Sequence, residues 1–472
     1  MAQFAQSAAE VRNVPFGFKD KLAYAAGDFG CNMSFALKSY LTIYWTQYMG
    51  VNSYVLSALL IVVQVWDAIN DPLIGTIVDA DRRQYKRGKF LTYIWVGSIG
   101  LLIAGALCYL PFPNAPTMVK NILFVAGYMI WDAFYTLANV PYGSMLSLIT
   151  DDSEARAQLS TWRSAGSMLA TILLTIAIPM IIYDASSNLR GGLMFYLALI
   201  LGVVGFFCFQ FMIRNTVIRV HIAVNVREDA PKFNVFRAIK NFCRNRAAIG
   251  ATLIPVGQFL GMYGAQTAST IMFQSYFNAA QISGVVSVIG YLGIFLFLPF
   301  VSRIVRRFGK KEPMVLGYAL CVAAFVLMLI LPITPDSRGL TLYIICQLLN
   351  MVGAGLGSCL SYSLMADATD YGEWKFGTRE EGTTYSLHSF FRKLAQAVGP
   401  SAGLLLATLL GYDSSLGAAQ TAAVALNMRY LTAAMYLFSA VLQFVAIAFI
   451  YNLDRRTLES MEKDLAERRE QG

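Results

Sequence analysis

The chain alternates long apolar runs with short polar punctuation. Runs of about 20 residues or more, the length that crosses the hydrocarbon core of a bilayer, lie near residues 22–49, 54–78, 91–111, 119–148, 162–183, 192–213, 247–277, 282–302, 314–332, 341–366, 384–410 and 428–451. Each run is continuous. That predicts helices and argues against a membrane barrel, whose strands read as segments of about ten alternating residues. The pattern therefore predicts an all-α membrane protein with about twelve transmembrane helices. Its one long hydrophilic interior segment divides the runs six and six. The expected organisation is an N-terminal six-helix bundle over 1–213, a central loop over 214–246, a C-terminal six-helix bundle over 247–451 and a tail over 452–472.

Composition agrees with this picture. The 472 residues are 57% hydrophobic and 14% charged, against about 25% charged in an average soluble chain, and the mean hydropathy is +0.54. The net charge of +9 does not point to nucleic acid, because the cations recur in every second loop and form no single patch. Arg82, Arg83, Lys86, Arg87 and Lys89 follow the second run, and Arg303, Arg306, Arg307, Lys310 and Lys311 follow the eighth. This asymmetry predicts that both termini and the central loop are cytoplasmic. Residues 1–20 lack the apolar core of a cleavable signal. The seven cysteines are scattered without a CxxC pair, which predicts reduced packing residues and neither a disulfide framework nor a metal site. The turns YKRGK (Tyr85–Lys89) and RRFGK (Arg306–Lys310) occupy corresponding places in the two halves. Such a repeat suits a transporter built from duplicated bundles.

Two acids interrupt the second run, in WDAINDP (Trp66–Pro72). Asp67 and Asp71 are four residues apart and share a helix face, with Asn70 beside them. Each costs about 2.5–3.5 kcal/mol at mid-bilayer, so the pair persists only by facing a wet cavity, pairing with cations or binding an ion. Pro72 frees the carbonyl of Ala68 within a turn of both acids. Carboxylates and loose carbonyls suit sodium, and a carboxylate alone suffices for a proton. The alternative is that both acids neutralise Lys or Arg on neighbouring helices.

Other polar residues sit inside the runs. The first carries GDFGCN (Gly27–Asn32) and then Lys38, which either reaches inward or snorkels to a surface. In the fourth, Asp132, Tyr135, Thr136 and Asn139 form one stripe that suits either polyol hydrogen bonding or helix-to-helix adhesion. Trp162 and Arg163 open the fifth run, the tryptophan as an interfacial anchor or as a platform for a sugar ring. In the second half, Asp370, Glu373, Arg379, Glu381 and Arg392 predict a cytoplasmic ion-pair gate, with a solvated charged face as the plain alternative. Lys393 needs a carboxylate partner, for which Asp67 or Asp71 is the natural candidate. His388 suits a proton relay or a hydrogen-bonded packing role.

WDAINDP, the GK turn after it, NVPYG (Asn139–Gly143) and DYGEWK (Asp370–Lys375), with a lysine about twenty residues later, resemble the glycoside–pentoside–hexuronide:cation symporter family. The match runs in order from Gly27 to Lys393. The resemblance implies a major-facilitator fold with substrate bound between the two bundles and alternating access driven by sodium or proton. By position it implies Asp67 and Asp71 at the cation with Thr136 next to it, and Arg163 and Lys393 at the substrate and coupling centre. The polar positions themselves add Asn70 to the expected cation site and Asn32, Lys38, Tyr135, Asn139, Trp162 and His388 to the expected substrate site. The family's melibiose carrier has aspartates where Asn32 and Asn139 stand and tryptophans where Gly143 and Ser358 stand, so a galactoside is not implied. Two lost carboxylates beside Arg163, Lys393 and Lys38 tilt the site toward an anionic sugar, while paired cations and two amides would suit neutral pentosides.

The sequence thus predicts a sugar symporter of a bacterial cytoplasmic membrane, working as a monomer in the lipid bilayer. It needs no cofactor beyond the coupling Na+ or H+ and has no nucleic-acid partner. A passive facilitator would have no need of the costly acids. An enzyme would need a catalytic constellation in a sizeable loop, and the longest loop carries none.

Overall fold

The computed structural model describes residues 15–81, 83, 85, 87–150, 153–219, 242–297, 300–376 and 381–471. Backbone contacts divide the chain into two units, Met1–Asp184 with Leu189–Asp229, and Ala185–Asn188 with Ala230–Gly472. The first unit contains α1 Phe18–Phe35, α2 Lys38–Ile43, α3 Ser53–Ala80, α4 Lys89–Leu107, α5 Thr117–Ser144, α6 Leu146–Ile149, α7 Ser153–Ile182 and α8 Gly191–Asn215. The second contains α9 Arg246–Ser275, α10 Ser283–Phe297, α11 Val301–Phe308, α12 Lys311–Ile330, α13 Ser337–Phe376, α14 Glu381–Leu409, α15 Ala422–Val445 and a polar tail helix, α16 Arg455–Gln471. Of the central loop expected over 214–246, residues 220–241 lie outside the described residues.

Seven helical stretches among the described residues are long and apolar enough to cross a membrane by length and composition: Lys89–Leu107, Thr117–Ser144, Gln158–Ile182, Gly191–Asn215, Arg246–Ser275, Lys311–Ile330 and Ala422–Ile450. The other five expected runs are helical too, and two of them are divided, the first between α1 and α2 and the eighth between α10 and α11. The division in the first run is capped from a neighbouring helix end. Ala36 still donates to the carbonyl of Asn32, while the carbonyl of Leu37 accepts from the Tyr109 hydroxyl at 2.6 Å. Lys38 follows directly, at the first position of α2.

Helices approach closely where glycine removes the side chain, the usual device where lipid supplies no hydrophobic drive. A Cβ on Gly166 of α7 would collide with the carbonyl oxygen of Ala25 in α1, and one on Gly97 of α4 would stand 2.7 Å from the amide nitrogen of Ala138 in α5. Because of the first approach, α7 side chains reach those of α1. In the second unit, a Cβ on Gly317 of α12 would lie 2.7 Å from the carbonyl oxygen of Gly353 in α13.

The start of α1 is tied to the end of the first unit by an ion pair. Arg219 donates through both terminal nitrogens to the two oxygens of Asp20, each at 3.0 Å, and adds contacts to the carbonyls of Ile149 and Pro15. Both partners are largely buried. Removing one partner of such a pair leaves a buried charge and costs about 3–5 kcal/mol. Asp20→Asn is therefore expected to lower the thermal midpoint of the detergent-solubilised protein without altering substrate preference. An unchanged midpoint would show that the pair contributes nothing.

Candidate functional site

The polar residues of α2, α3 and α5 converge at the middle of the first unit. Asn70 is fully buried and donates through Nδ2 to the Asp132 carboxylate at 3.0 Å, to the Asp132 carbonyl at 3.2 Å and to the Thr136 hydroxyl at 2.9 Å. The helical spacing of Asp132 and Thr136 on α5 presents both acceptors to one amide. Asp132 itself is 2% exposed. Lys38, placed by the break before α2, points inward. Its Nζ lies 3.5 Å from Asp67 Oδ2, and 5.4, 5.2 and 5.7 Å from the ring centres of Phe35, Tyr128 and Trp131. Three ring faces around an ammonium supply cation–π attraction in place of lost water. The side chain of Asp71 lies outside the described residues.

A second cluster joins α1, α5 and α7. Arg163 Nε donates to Asp28 Oδ1 at 3.2 Å, and the guanidinium lies 4.8 Å from the ring centre of Tyr142. Asn32 donates to the Asp28 carbonyl and to Ser167 Oγ, and accepts from Thr171 at 3.4 Å, so both ends of its amide are used. Tyr135 stacks on Trp131 with ring centres 5.5 Å apart. Its hydroxyl has no partner among the described residues, and neither has the amide nitrogen of Asn139, whose oxygen accepts only a weak contact from Cys31 Sγ at 3.9 Å. Trp162 meets Phe18 edge to face at 5.4 Å.

In the second unit His388, 3% exposed, faces the Thr252 hydroxyl through Nδ1 at 3.2 Å. Lys393 is half-buried on the same helix. Arg392 stacks over Phe259 at 5.6 Å, and Asp370 and Glu373 are half-buried near the end of α13. Of the expected gate, Arg379 and the side chain of Glu381 lie outside the described residues. An ion pair near this end of α13 joins Lys310 to Asp367, 2.7 Å to each oxygen. The corresponding end of α3 is closed by Asp81, which accepts from the hydroxyls of Tyr85 at 2.6 Å and Tyr93 at 2.7 Å and from the Arg83 amide at 3.0 Å. These bonds, that of Tyr85 foremost, hold its carboxyl at about 2, so it stays ionised at any physiological pH.

Two features had no sequence signal. Lys38 and Asp67 are 29 residues apart, and Arg163 and Asp28 are 135 apart, so nothing in the spacing paired them. The second unit also has a cavity of ≈ 210 Å³ lined by Gln258, Gln266, Gln347 and Asn350 together with Tyr318 and Tyr436. The side-chain amides of Gln258, Gln266 and Asn350 have no partner among the described residues. These residues come from four different helices and were not singled out.

Residues 23–455 match the family described as MFS/sugar transport protein. The chain is 30% identical over 450 residues to the uncharacterized symporter YjmB of Bacillus subtilis (strain 168), covering 95% of each chain. It is 27% identical to the isoprimeverose transporter of Lactiplantibacillus pentosus, covering 88% of this chain and 85% of the relative. It is also 27% identical to the glucuronide carrier protein homolog of Escherichia coli (strain K12), covering 95% of each. With inward-facing charges inside helical bundles and relatives that are transporters along almost their whole length, this all-α, multi-pass membrane protein belongs to the MFS/sugar transport family, among the glycoside and hexuronide symporters.

Proposed function

We propose that the protein is a cation-coupled symporter that brings a sugar, glycoside or hexuronide into the cell, working as a monomer in a bacterial cytoplasmic membrane with both termini cytoplasmic. The observation that carries this reading is the buried cluster of Asp67, Asn70, Asp132 and Thr136 around Lys38. Charges in a membrane helix are costly and mark ion pathways, and a passive facilitator has no use for them. The coupling ion is placed in the region of Asp67, Asp71, Asn70 and Thr136, and the expected gate at Asp370, Glu373, Arg379, Glu381 and Arg392 remains part of the proposal.

For the substrate, the geometry favours a neutral sugar. Lys38 and Arg163 each already face a carboxylate, which leaves uncommitted donors on Tyr135 and Asn139, and Trp162 and Tyr135 offer ring faces for a pyranose. Asn32 supports these groups by tying α1 to α7, and the sequence assigns His388 and Lys393 to the substrate as well. A hexuronide is the second reading. It is favoured by Lys393 and by the likeness to the glucuronide carrier homolog, and it requires the sugar carboxylate to displace Asp28 from Arg163.

Competition in membrane vesicles decides between them. Excess neutral xyloside is expected to block uptake, and Asn139→Ala to raise KM roughly 2- to 10-fold, the worth of one hydrogen bond. Inhibition by glucuronide alone, relieved by Arg163→Gln, would establish the hexuronide reading instead.

A further inference from the structure

Among the described residues, Asp132 is the inward carboxylate for which no ion pair is formed. It lies at the middle of α5, a helix long and apolar enough to cross a membrane, and is 2% exposed. Asp67 has Lys38 at 3.5 Å and Asp28 has Arg163 at 3.2 Å, but no cation stands within ion-pair distance of Asp132. Its carboxylate accepts one hydrogen bond, from the neutral amide of Asn70.

The orientation of that amide follows from its surroundings. Asn70 Nδ2 also faces the Asp132 main-chain carbonyl, so a flipped amide would set oxygen against both a carbonyl and a carboxylate. With Nδ2 so placed, Asn70 Oδ1 is buried with no donor. The cluster therefore holds a carboxylate without an ion pair and a carbonyl without a donor side by side. Both are relieved by a group that adds positive charge or a donor hydrogen. A sodium ion would enter it beside the ammonium of Lys38, already among the charges acting on Asp132. A proton needs no such space, since it binds a carboxylate oxygen and turns the acid into a donor.

Resting on the symport reading above, we propose that within the cluster assigned to the coupling ion Asp132 is the group that takes it and that this ion is a proton, with Lys38 the fixed cation paired to Asp67. One O–H bond forms at Asp132 with a proton from water on one side and breaks to water on the other. No electrons move. The groups facing this exchange are Asp67 on α3, Lys38 at the start of α2 and Tyr128 on α5. On α1, Asp28 is taken by Arg163, and on α4, Tyr93 is turned to Asp81.

The test is substrate-driven proton movement in proteoliposomes, read by an external pH indicator, alongside sugar counterflow, which needs no net movement of the coupling ion. Wild-type protein is expected to move protons with sugar. Asp132→Asn is expected to lose at least 10-fold in protons moved per sugar while counterflow persists at a reduced rate. Undiminished proton movement by that variant overturns the proposal, as does accumulation driven by a sodium gradient at clamped pH. If Asp132→Asn does not fold, the wild-type protein decides alone: sodium-driven uptake overturns the proposal and uptake driven only by a pH gradient supports it. Absent counterflow by the wild type with every sugar would instead sink the symport reading on which this one rests.

Discussion

Asp67→Asn is expected to abolish uphill accumulation while leaving downhill flux of sugar measurable. One charge moved through 100 mV is worth about 2.3 kcal/mol, which at about 1.36 kcal/mol per decade supports roughly 50-fold accumulation. The variant should fall to a ratio of one. The reason lies in the lysine. With Asp67 neutral, the Lys38 ammonium keeps only its three aromatic neighbours and turns to Asp132, which then stays ionised and takes up no proton. It follows that removing both charges, in Lys38→Met with Asp67→Asn, should recover coupled uptake relative to the single variant. Neighbours in one network show such coupling, and a double-mutant cycle isolates it. Simple addition of two losses would refute the pairing.

Arg163→Gln is the second large effect expected. The guanidinium bridges Asp28 on α1 and the face of Tyr142 on α5, while Asn32 bonds to the same turn of α1 through the Asp28 carbonyl. Losing it leaves a mostly buried carboxylate unanswered between three helices. Hydrogen bonds to charged groups are worth about 1.5–3 kcal/mol, so transport should fall roughly 10- to 150-fold at about 1.36 kcal/mol per decade. Arg163→Lys should fail to restore it, since a point charge does not reproduce the planar fork or its stacking. Partial recovery on adding Asp28→Asn would show that the loss came from the stranded acid. No recovery, with KM for an acidic sugar alone affected, would mean that Arg163 meets the substrate directly.

The helices were legible in the sequence because lipid imposes a strong rule: a spanning segment must satisfy its own backbone and be apolar for about 20 residues. The same rule exposed Asp67, Asn70 and Thr136, since polar residues stand out against so apolar a background. Partners were a different matter. Helical spacing reports which residues share a face but not what that face meets, so Asp132 read as one member of a stripe and Lys38 as a choice between interior and surface. The break at Ala36–Leu37, which turns Lys38 inward, has no proline or glycine to announce it and rests on a hydroxyl from Tyr109. The amides around the cavity of the second unit were hidden for a similar reason. Gln258 and Gln266 sit on α9 and Gln347 and Asn350 on α13, and only the convergence of these helices gives the amides meaning.

The central claim is cation-coupled sugar symport, and imposed gradients test it most directly. Vesicles carrying the protein would be given a labelled neutral glycoside at equal concentration inside and out, and then a pH gradient, a sodium gradient or neither. The account predicts net accumulation when a cation gradient is applied, the pH gradient being the effective one, and its collapse on adding an ionophore for that ion. Sugar that only equilibrates, at a rate indifferent to both gradients, would contradict it.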